Sequence, residues 1–137
     1  MAQQINLYGG VKMYKWQKEL HQYIDKYLET KPDDCKIITV KASRQIYGKS
    51  AAAKAELLRF SLYKPKTVNA YVSPTLKLAK KMYDEIVRDA EDLIDKKNSI
   101  EMYIQFKNKS QIKFFSAEQR EALRGHTVTG IMIIDEA

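Results

Sequence analysis

The chain has 137 residues, of which 45% are hydrophobic and 30% charged, and this composition is typical of one soluble domain or of part of one. Its lone cysteine, Cys35, excludes an internal disulfide, no apolar stretch is long enough to span a bilayer, and the first residues lack the pattern of a secretory signal. The net charge of +7 favours a polyanionic partner, although a basic protein without such a partner has the same charge.

The first half of the chain alternates helical and extended patterns. Apolar residues at helical spacing predict a first helix over residues 14–29, which the polar segment 31–34 ends. Residues 35–42, CKIITVKA, are β-rich and predict a first strand. Strong helix formers predict a second helix over residues 49–63, and residues 67–73 predict a second strand. The apolar stripe of the first helix comprises Trp16, Leu20, Tyr23, Ile24, Tyr27 and Leu28.

The second half of the chain predicts one more helix and then mostly strands. Pro74 favours the start of a third helix. Residues 99–106 and 110–115 alternate apolar and polar side chains around a short turn, which predicts an antiparallel hairpin. Residues 130–137, GIMIIDEA, are apolar without alternation and predict a strand buried on both faces. The apolar face of the third helix comprises Ala79, Met82, Ile86, Ala90 and Leu93.

This order of strands and helices predicts an α/β layered sheet. Ligands of such sheets bind at the carboxyl ends of the strands, and two of those ends are ASRQIYGKS and DEA. Because the printed sequence stops on an apolar strand, we expect the chain to be part of a longer protein.

The segment ASRQIYGKS has the ending of a phosphate-binding loop between a strand and a helix. In such a loop a glycine lets the backbone approach the phosphates, a lysine neutralises their oxygens, and a serine or threonine holds Mg²⁺. Gly48, Lys49 and Ser50 have these residue types, but Ser43 stands where the first glycine of the loop is expected. The alternative is an ordinary loop that ends in GKS by chance.

A second motif strengthens the prediction of a nucleotide site. Asp135 and Glu136 follow an apolar strand, which delivers two carboxylates to its carboxyl end. One carboxylate of such a pair positions Mg²⁺ through water, and the other orients the attacking water and accepts its proton. A solvent-exposed acidic pair at a strand end is the alternative, but the combination with GKS favours ATP binding.

Together these motifs resemble the amino-terminal half of the ATPase domain of tailed-phage terminase large subunits, over residues 14–137. The matching segments are YKWQKEL, SRQIYGKS, VSPTLKLAKKMYDE and EALRGHTVTGIMIIDEA. The family often replaces the first glycine of the loop and carries an arginine there. One departure is that Ile46 and Tyr47 both lie between Arg44-Gln45 and Gly48, where the family usually has one residue. This shift leaves the family role of the arginine, at the γ-phosphate, open for Arg44.

The resemblance implies an α/β P-loop NTPase fold of the additional-strand type. Its central sheet would be mostly parallel, flanked by helices and a β-hairpin. Residues 1–137 would form a single domain, the amino-terminal part of a P-loop ATPase domain. A coupling motif and a nuclease domain would follow residue 137. The implied function is a Mg²⁺-dependent ATPase motor that moves double-stranded DNA into a procapsid.

The resemblance also implies roles for individual residues. Lys49 would bind the phosphates, Ser50 and Asp135 would hold Mg²⁺, and Glu136 would activate water. The implied ATP-binding residues are Ser43, Arg44, Gln45, Gly48, Lys49, Ser50, Gln17 and Trp16, of which Arg44 and Lys49 are also candidate catalytic residues. Gln17 would contact the adenine edge, whereas Trp16 also fits a core position on the apolar stripe of the first helix.

Basic residues outside the loop are candidates for contact with DNA or with the γ-phosphate. Arg124 lies beside a glycine before the acidic strand. Lys77, Lys80 and Lys81 lie near the start of the third helix, where the helix dipole disfavours cations and a DNA phosphate would favour them. The alternative for all four residues is a solvated surface.

The partners implied by the resemblance are double-stranded DNA, a portal protein and a small terminase subunit. The motor would be a ring homo-oligomer in the host cytoplasm, docked on the procapsid, with no membrane association. One rival function is a helicase-like nucleic-acid translocase of the same P-loop superclass. Another is a binding module without enzymatic activity, whose GKS loop holds no nucleotide.

Overall fold

The computed structural model describes residues 15–30, 49–117 and 128–135, and these ranges contain three α-helices and five β-strands. The helices are α1 (Lys15–Thr30), α2 (Lys49–Tyr63) and α3 (Leu76–Ala90). The strands are β1 (Val68–Ser73), β2 (Ile94–Asn98), β3 (Tyr103–Phe106), β4 (Gln111–Ser116) and β5 (Met132–Ile134). The first strand predicted from the sequence, residues 35–42, lies outside the described residues.

The five strands form one sheet in the order β2-β3-β4-β1-β5. β1 is parallel to both of its neighbours, β4 and β5, whereas β2, β3 and β4 pair antiparallel. The described fold is therefore α/β, but its sheet contains both parallel and antiparallel strands. The prediction of a mostly parallel sheet is wrong. The physical reason is that the hairpin β3–β4 joins the central sheet directly, and β2 then extends it with a further antiparallel strand.

Local sequence patterns account for most of the elements. α2 begins and ends at the residues that its strong helix formers predict. The predicted hairpin is confirmed, with Ile104 opposite Ile112. α3 begins two residues after Pro74, because the side chain of Thr75 caps it by accepting a hydrogen bond of 3.2 Å from the backbone N–H of Leu78.

The main core lies between one face of the sheet and the helices α2 and α3. Leu57 and Leu58 of α2 and Ile86 of α3 are fully buried there. The sheet contributes Tyr71, Ile104, Phe106, Ile112 and Phe114. Each fully buried leucine, isoleucine or phenylalanine stabilises the fold by about 1.5–3 kcal/mol relative to an exposed position. This packing therefore fixes α2 and α3 on the sheet.

The two terminal elements of the described chain differ from their predictions. Among the described side chains of α1, Gln17 and His21 are buried, whereas Trp16 of the predicted apolar stripe is half-buried. On β5, Met132 is 44% exposed and Ile134 is 64% exposed, so burial on both faces is wrong for the described residues. Among the described strands, β5 lies at one edge of the sheet. Ile133, between Met132 and Ile134, points to the opposite face and packs against the main core.

Candidate functional site

Three polar side chains lie in a row at the carboxyl ends of the parallel strands. Ser116 of β4 is opposite Ser73 of β1 in the strand register. On the other side of β1, the backbone N–H of Asp135 donates a hydrogen bond of 2.8 Å to the carbonyl of Val72. Because side chains alternate along a strand, Ser73, Ser116 and Asp135 share the sheet face that α2 and α3 cover.

The side chain of Asp135 is tied to the neighbouring strand. The hydroxyl of Tyr71 donates a hydrogen bond of 2.8 Å to its Oδ2 atom. Burial, this hydrogen bond and the negative charges of Asp135 and Glu85 raise the pKa of Tyr71 well above its ordinary value. Tyr71 is therefore the donor in this hydrogen bond.

The helix α2 points its amino-terminal end toward this edge of the sheet. Near the other end of α2, the hydroxyl of Ser61 accepts a hydrogen bond of 2.9 Å from the side chain of Asn69, at the start of β1. Because Leu57 and Leu58 of α2 also pack on the same sheet face as Tyr71, we infer that α2 runs antiparallel to β1. Its 15 residues span a length similar to that of the strand. The helix end with Lys49 and the strand end with Asp135 consequently lie toward the same edge.

α1 is attached to α2 by a cluster of charged side chains. The ring nitrogen Nδ1 of His21 contacts Oε1 of Glu56, and both residues are buried. Arg59 binds the same oxygen of Glu56 and also pairs with Asp25, both of whose carboxylate oxygens lie 2.5 Å from its Nη2. Gln17 lies one turn before His21 on α1 and is fully buried.

The remaining residues predicted for the site are only partly described. Ser43, Arg44, Gln45, Gly48, Arg124 and Glu136 lie outside the described residues, as do the side chains of Lys49 and Ser50. Trp16 and Gln17 lie on α1, and their adenine contact stays a prediction. Lys77, Lys80 and Lys81 are exposed on the first turns of α3, which begins just beyond the carboxyl end of β1. Their contact with DNA also stays a prediction.

The donor atoms at this edge suit a hard divalent cation. Mg²⁺ takes oxygen ligands and usually binds one or two carboxylates together with water and phosphate oxygens. Asp135 supplies such a carboxylate, and the residue type of Ser50 supplies a hydroxyl. In the described ranges no group of three or more His, Cys, Asp or Glu side chains is placed to hold a metal. A carboxylate and a hydroxyl are residue types that fit Mg²⁺ bound together with phosphate oxygens and water.

Sequence reasoning missed three residues of this region: Tyr71, Ser73 and Asn69. In the strand VNAYVS they alternate with apolar residues, so they share one face of β1. The sequence signal was an asparagine inside an otherwise mostly apolar strand. Asn69 is fully buried in the structure, and a buried amide requires hydrogen-bond partners.

Comparison with known proteins identifies a related family. A family model described as the terminase large subunit, T4likevirus-type, N-terminal, matches residues 40–137. The matched region includes the GKS and Asp-Glu motifs and excludes α1. No curated protein sequence matches the chain. In addition, none of the helices in the described residues has the length and apolar character needed to cross a membrane.

Proposed function

Because the chain belongs to the family of terminase large subunits of the T4-like type, we propose that it is the ATP-hydrolysing part of a motor that packages double-stranded DNA into a phage procapsid. The proposed fold is a P-loop NTPase of the additional-strand type. The observation that carries the proposal is the position of Asp135 at the carboxyl end of β5, on the sheet face covered by α2. Lys49 and Ser50 of the GKS motif begin α2, whose amino-terminal end points toward the same edge.

In this proposal the residues of the chain bind and orient the reacting groups. Lys49 neutralises the charge that develops on the γ-phosphoryl group, and the backbone N–H groups at the start of α2 contact the phosphates. Ser50 and Asp135 would hold Mg²⁺, which would supply positive charge to neutralise the phosphates. Glu136 orients the attacking water and accepts its proton.

The remaining residues of the proposed site position the nucleotide. Ser43, Arg44, Gln45 and Gly48 form the rest of the phosphate loop. α1 contributes Gln17 and Trp16 at the adenine. Support for this role is that α1 is attached to α2, the element that carries Lys49. The attachment consists of the contacts His21–Glu56 and Asp25–Arg59.

The proposed partners follow from the family and from the charge of the chain. Double-stranded DNA would contact Arg124 and the exposed lysines of α3, Lys77, Lys80 and Lys81. A portal protein, a small terminase subunit and further copies of the chain in a ring would complete the motor on the procapsid in the host cytoplasm. The family match favours this function over a helicase-like translocase, which shares the phosphate loop and the acidic strand.

The proposal is tested by ATP turnover of the full-length protein with Mg²⁺ and duplex DNA. We expect Lys49→Ala to lower turnover at least about 100-fold, the scale of losing one preorganised charge contact to the transition state. The matched control is Lys64→Ala, which removes an exposed lysine in the turn after α2 and is expected to leave turnover unchanged. Turnover of Lys49→Ala near that of the control would disprove the assignment of the phosphate loop.

A further inference from the structure

We propose that Tyr71 is a positioning residue for the metal site, and that its hydroxyl holds the carboxylate of Asp135 in the orientation that binds Mg²⁺. This inference rests on the proposed function, because it requires that Asp135 is a ligand of Mg²⁺ or of its bound water. Tyr71 itself contacts neither the nucleotide nor the metal in this proposal, and it acts only through Asp135.

The strand register explains why Tyr71 reaches this carboxylate. Tyr71 is paired with Ile133 on the adjacent parallel strand β5, and Asp135 lies two residues further along that strand, on the same face. The tyrosine side chain is long enough to cover this offset, and its hydroxyl lies 2.8 Å from Oδ2. A shorter polar side chain at position 71 would not bridge that distance.

The aromatic ring of Tyr71 is itself held in place by the core. Tyr71 is 3% exposed, and its ring contacts Phe114 with centroids 6.3 Å apart. Phe114 in turn packs edge-to-face against Tyr83 of α3, at a centroid distance of 5.5 Å. Because the ring cannot change its rotamer without disturbing this stack, the hydroxyl has a fixed position from which to orient Asp135.

The hydrogen bond between Tyr71 and Asp135 is of a strong kind. A hydrogen bond to a carboxylate is shorter and stronger than one between neutral groups. Hydrogen bonds from residues behind a metal ligand commonly set its orientation, and their loss typically weakens metal binding by about 10–100-fold.

A purely structural role for the same bond predicts a different result. A buried tyrosine hydroxyl needs a hydrogen-bond partner whether or not that partner has a function. If Tyr71 only completes the core, its hydroxyl contributes to the stability of the fold and not to metal affinity. Metal affinity and thermal stability must therefore be measured separately.

The experiment measures Mn²⁺, as a probe for Mg²⁺, by electron paramagnetic resonance in the presence of a saturating ATP analogue that is not hydrolysed. Tyr71→Phe keeps the ring and removes the hydroxyl. We expect it to weaken Mn²⁺ binding by about tenfold, the lower end of the range for such residues, and to leave metal-free binding of the analogue unchanged. Combining it with Asp135→Asn should add little to the effect of Asp135→Asn alone, because both changes act on one group.

The matched control is Tyr83→Phe, which removes the hydroxyl of another buried tyrosine in the same aromatic stack. We expect this control to bind Mn²⁺ with wild-type affinity. Wild-type Mn²⁺ affinity in Tyr71→Phe, with weakened affinity in Asp135→Asn, would overturn the positioning role and leave the proposed function intact. Wild-type Mn²⁺ affinity in Asp135→Asn would instead show that the metal site itself is assigned wrongly.

Discussion

The two ends of β1 differ in the surroundings of their polar side chains. At the amino end, Asn69 is completely buried, and its side chain is surrounded by protein partners. Its amide donates to Ser61 at 2.9 Å and to the carbonyl of Gln111 at 3.2 Å, and its Oδ1 accepts from the backbone N–H of Ile131 at 2.9 Å. At the carboxyl end, the partner of Tyr71 is the half-buried carboxylate of Asp135 at the edge of the sheet.

This difference separates a structural polar group, Asn69, from a group that we propose binds a ligand, Asp135. The amide of Asn69 joins α2, β4 and the start of β5 to β1, so it fixes the register of three elements without presenting a group to a ligand. The carboxylate of Asp135 is a charge at the strand end, where ligands of α/β sheets bind. We therefore expect changes at the amino end to lower stability, and changes at the carboxyl end to lower ligand affinity.

Asn69→Ala is expected to have the largest effect on stability. It leaves the backbone N–H of Ile131 and the buried hydroxyl of Ser61 without this partner and creates a small cavity. We therefore expect a loss of about 3 kcal/mol in the free energy of unfolding. The measurement is urea-induced unfolding monitored by circular dichroism. Nucleotide affinity, measured on the folded variant, is expected to stay within about twofold of wild type.

Asn98→Ala is the matched control for this change. Asn98 is half-buried at the end of β2, and its side chain accepts hydrogen bonds from the backbone N–H groups of Ile100 at 2.9 Å and Glu101 at 3.0 Å. Because water can replace it there, we expect a loss of about 1 kcal/mol or less. Equal losses in the two variants would show that burial of the amide at β1 has no special importance.

Gly130→Ala is expected to have the next largest effect on stability, because it disturbs the side-chain amide of Asn69. A Cβ atom at position 130 would lie 2.0 Å from Oδ1 of Asn69 and 3.0 Å from Cε1 of Phe60. The side chain of Asn69 must then move and lose hydrogen bonds, so we expect a loss of about 2 kcal/mol by thermal or urea unfolding. In the Asn69→Ala background the close atom is gone, and the same change should cost clearly less. Strictly additive losses would contradict this account.

Much of the fold follows from local sequence patterns. α2 and the hairpin β3–β4 were predicted because helix formers and alternation act over a few neighbouring residues. β2, IDKKN, was not predicted, since it has a single apolar residue and is held by pairing with β3. The exposure of β5 could not be predicted either, because it depends on which elements lie beside that strand.

In the candidate site, too, local sequence patterns were predictable and contacts between distant residues were not. Asp135 was predicted as a site residue from its position after an apolar strand, which is a local signal. Tyr71 was not, because a tyrosine within an apolar strand indicates a core position, and its bond to Asp135 joins residues 64 positions apart. The parallel pairing of β1 with β5 creates that contact, and a single sequence does not specify which strands become neighbours.

The smallest expected effect on stability is that of Asp89→Asn. Asp89 lies at neither end of β1, and its substitution tests how α2 and α3 are held together. Lys54 of α2 donates a hydrogen bond of 2.8 Å to Asp89 of α3. Burial raises the pKa of Asp89, but the hydrogen bonds and charges of Lys54 and Arg88 outweigh it, so the pKa is lower than the ordinary value. We expect the variant to lose about 1.5 kcal/mol at pH 7, measured by urea unfolding.

The sign of this shift fixes the pH dependence. Because the folded-state pKa lies below the unfolded-state value of about 3.9, the stabilisation is fully present above that pH and is lost as the pH falls through the folded-state pKa. The difference between wild type and Asp89→Asn should therefore shrink in acid. Asp92→Asn, at an exposed position in the turn after α3, should stay within about 0.5 kcal/mol of wild type at every pH. A difference for Asp89→Asn that is constant from pH 7 into the acid range would mean that its charge does not hold α3 against α2.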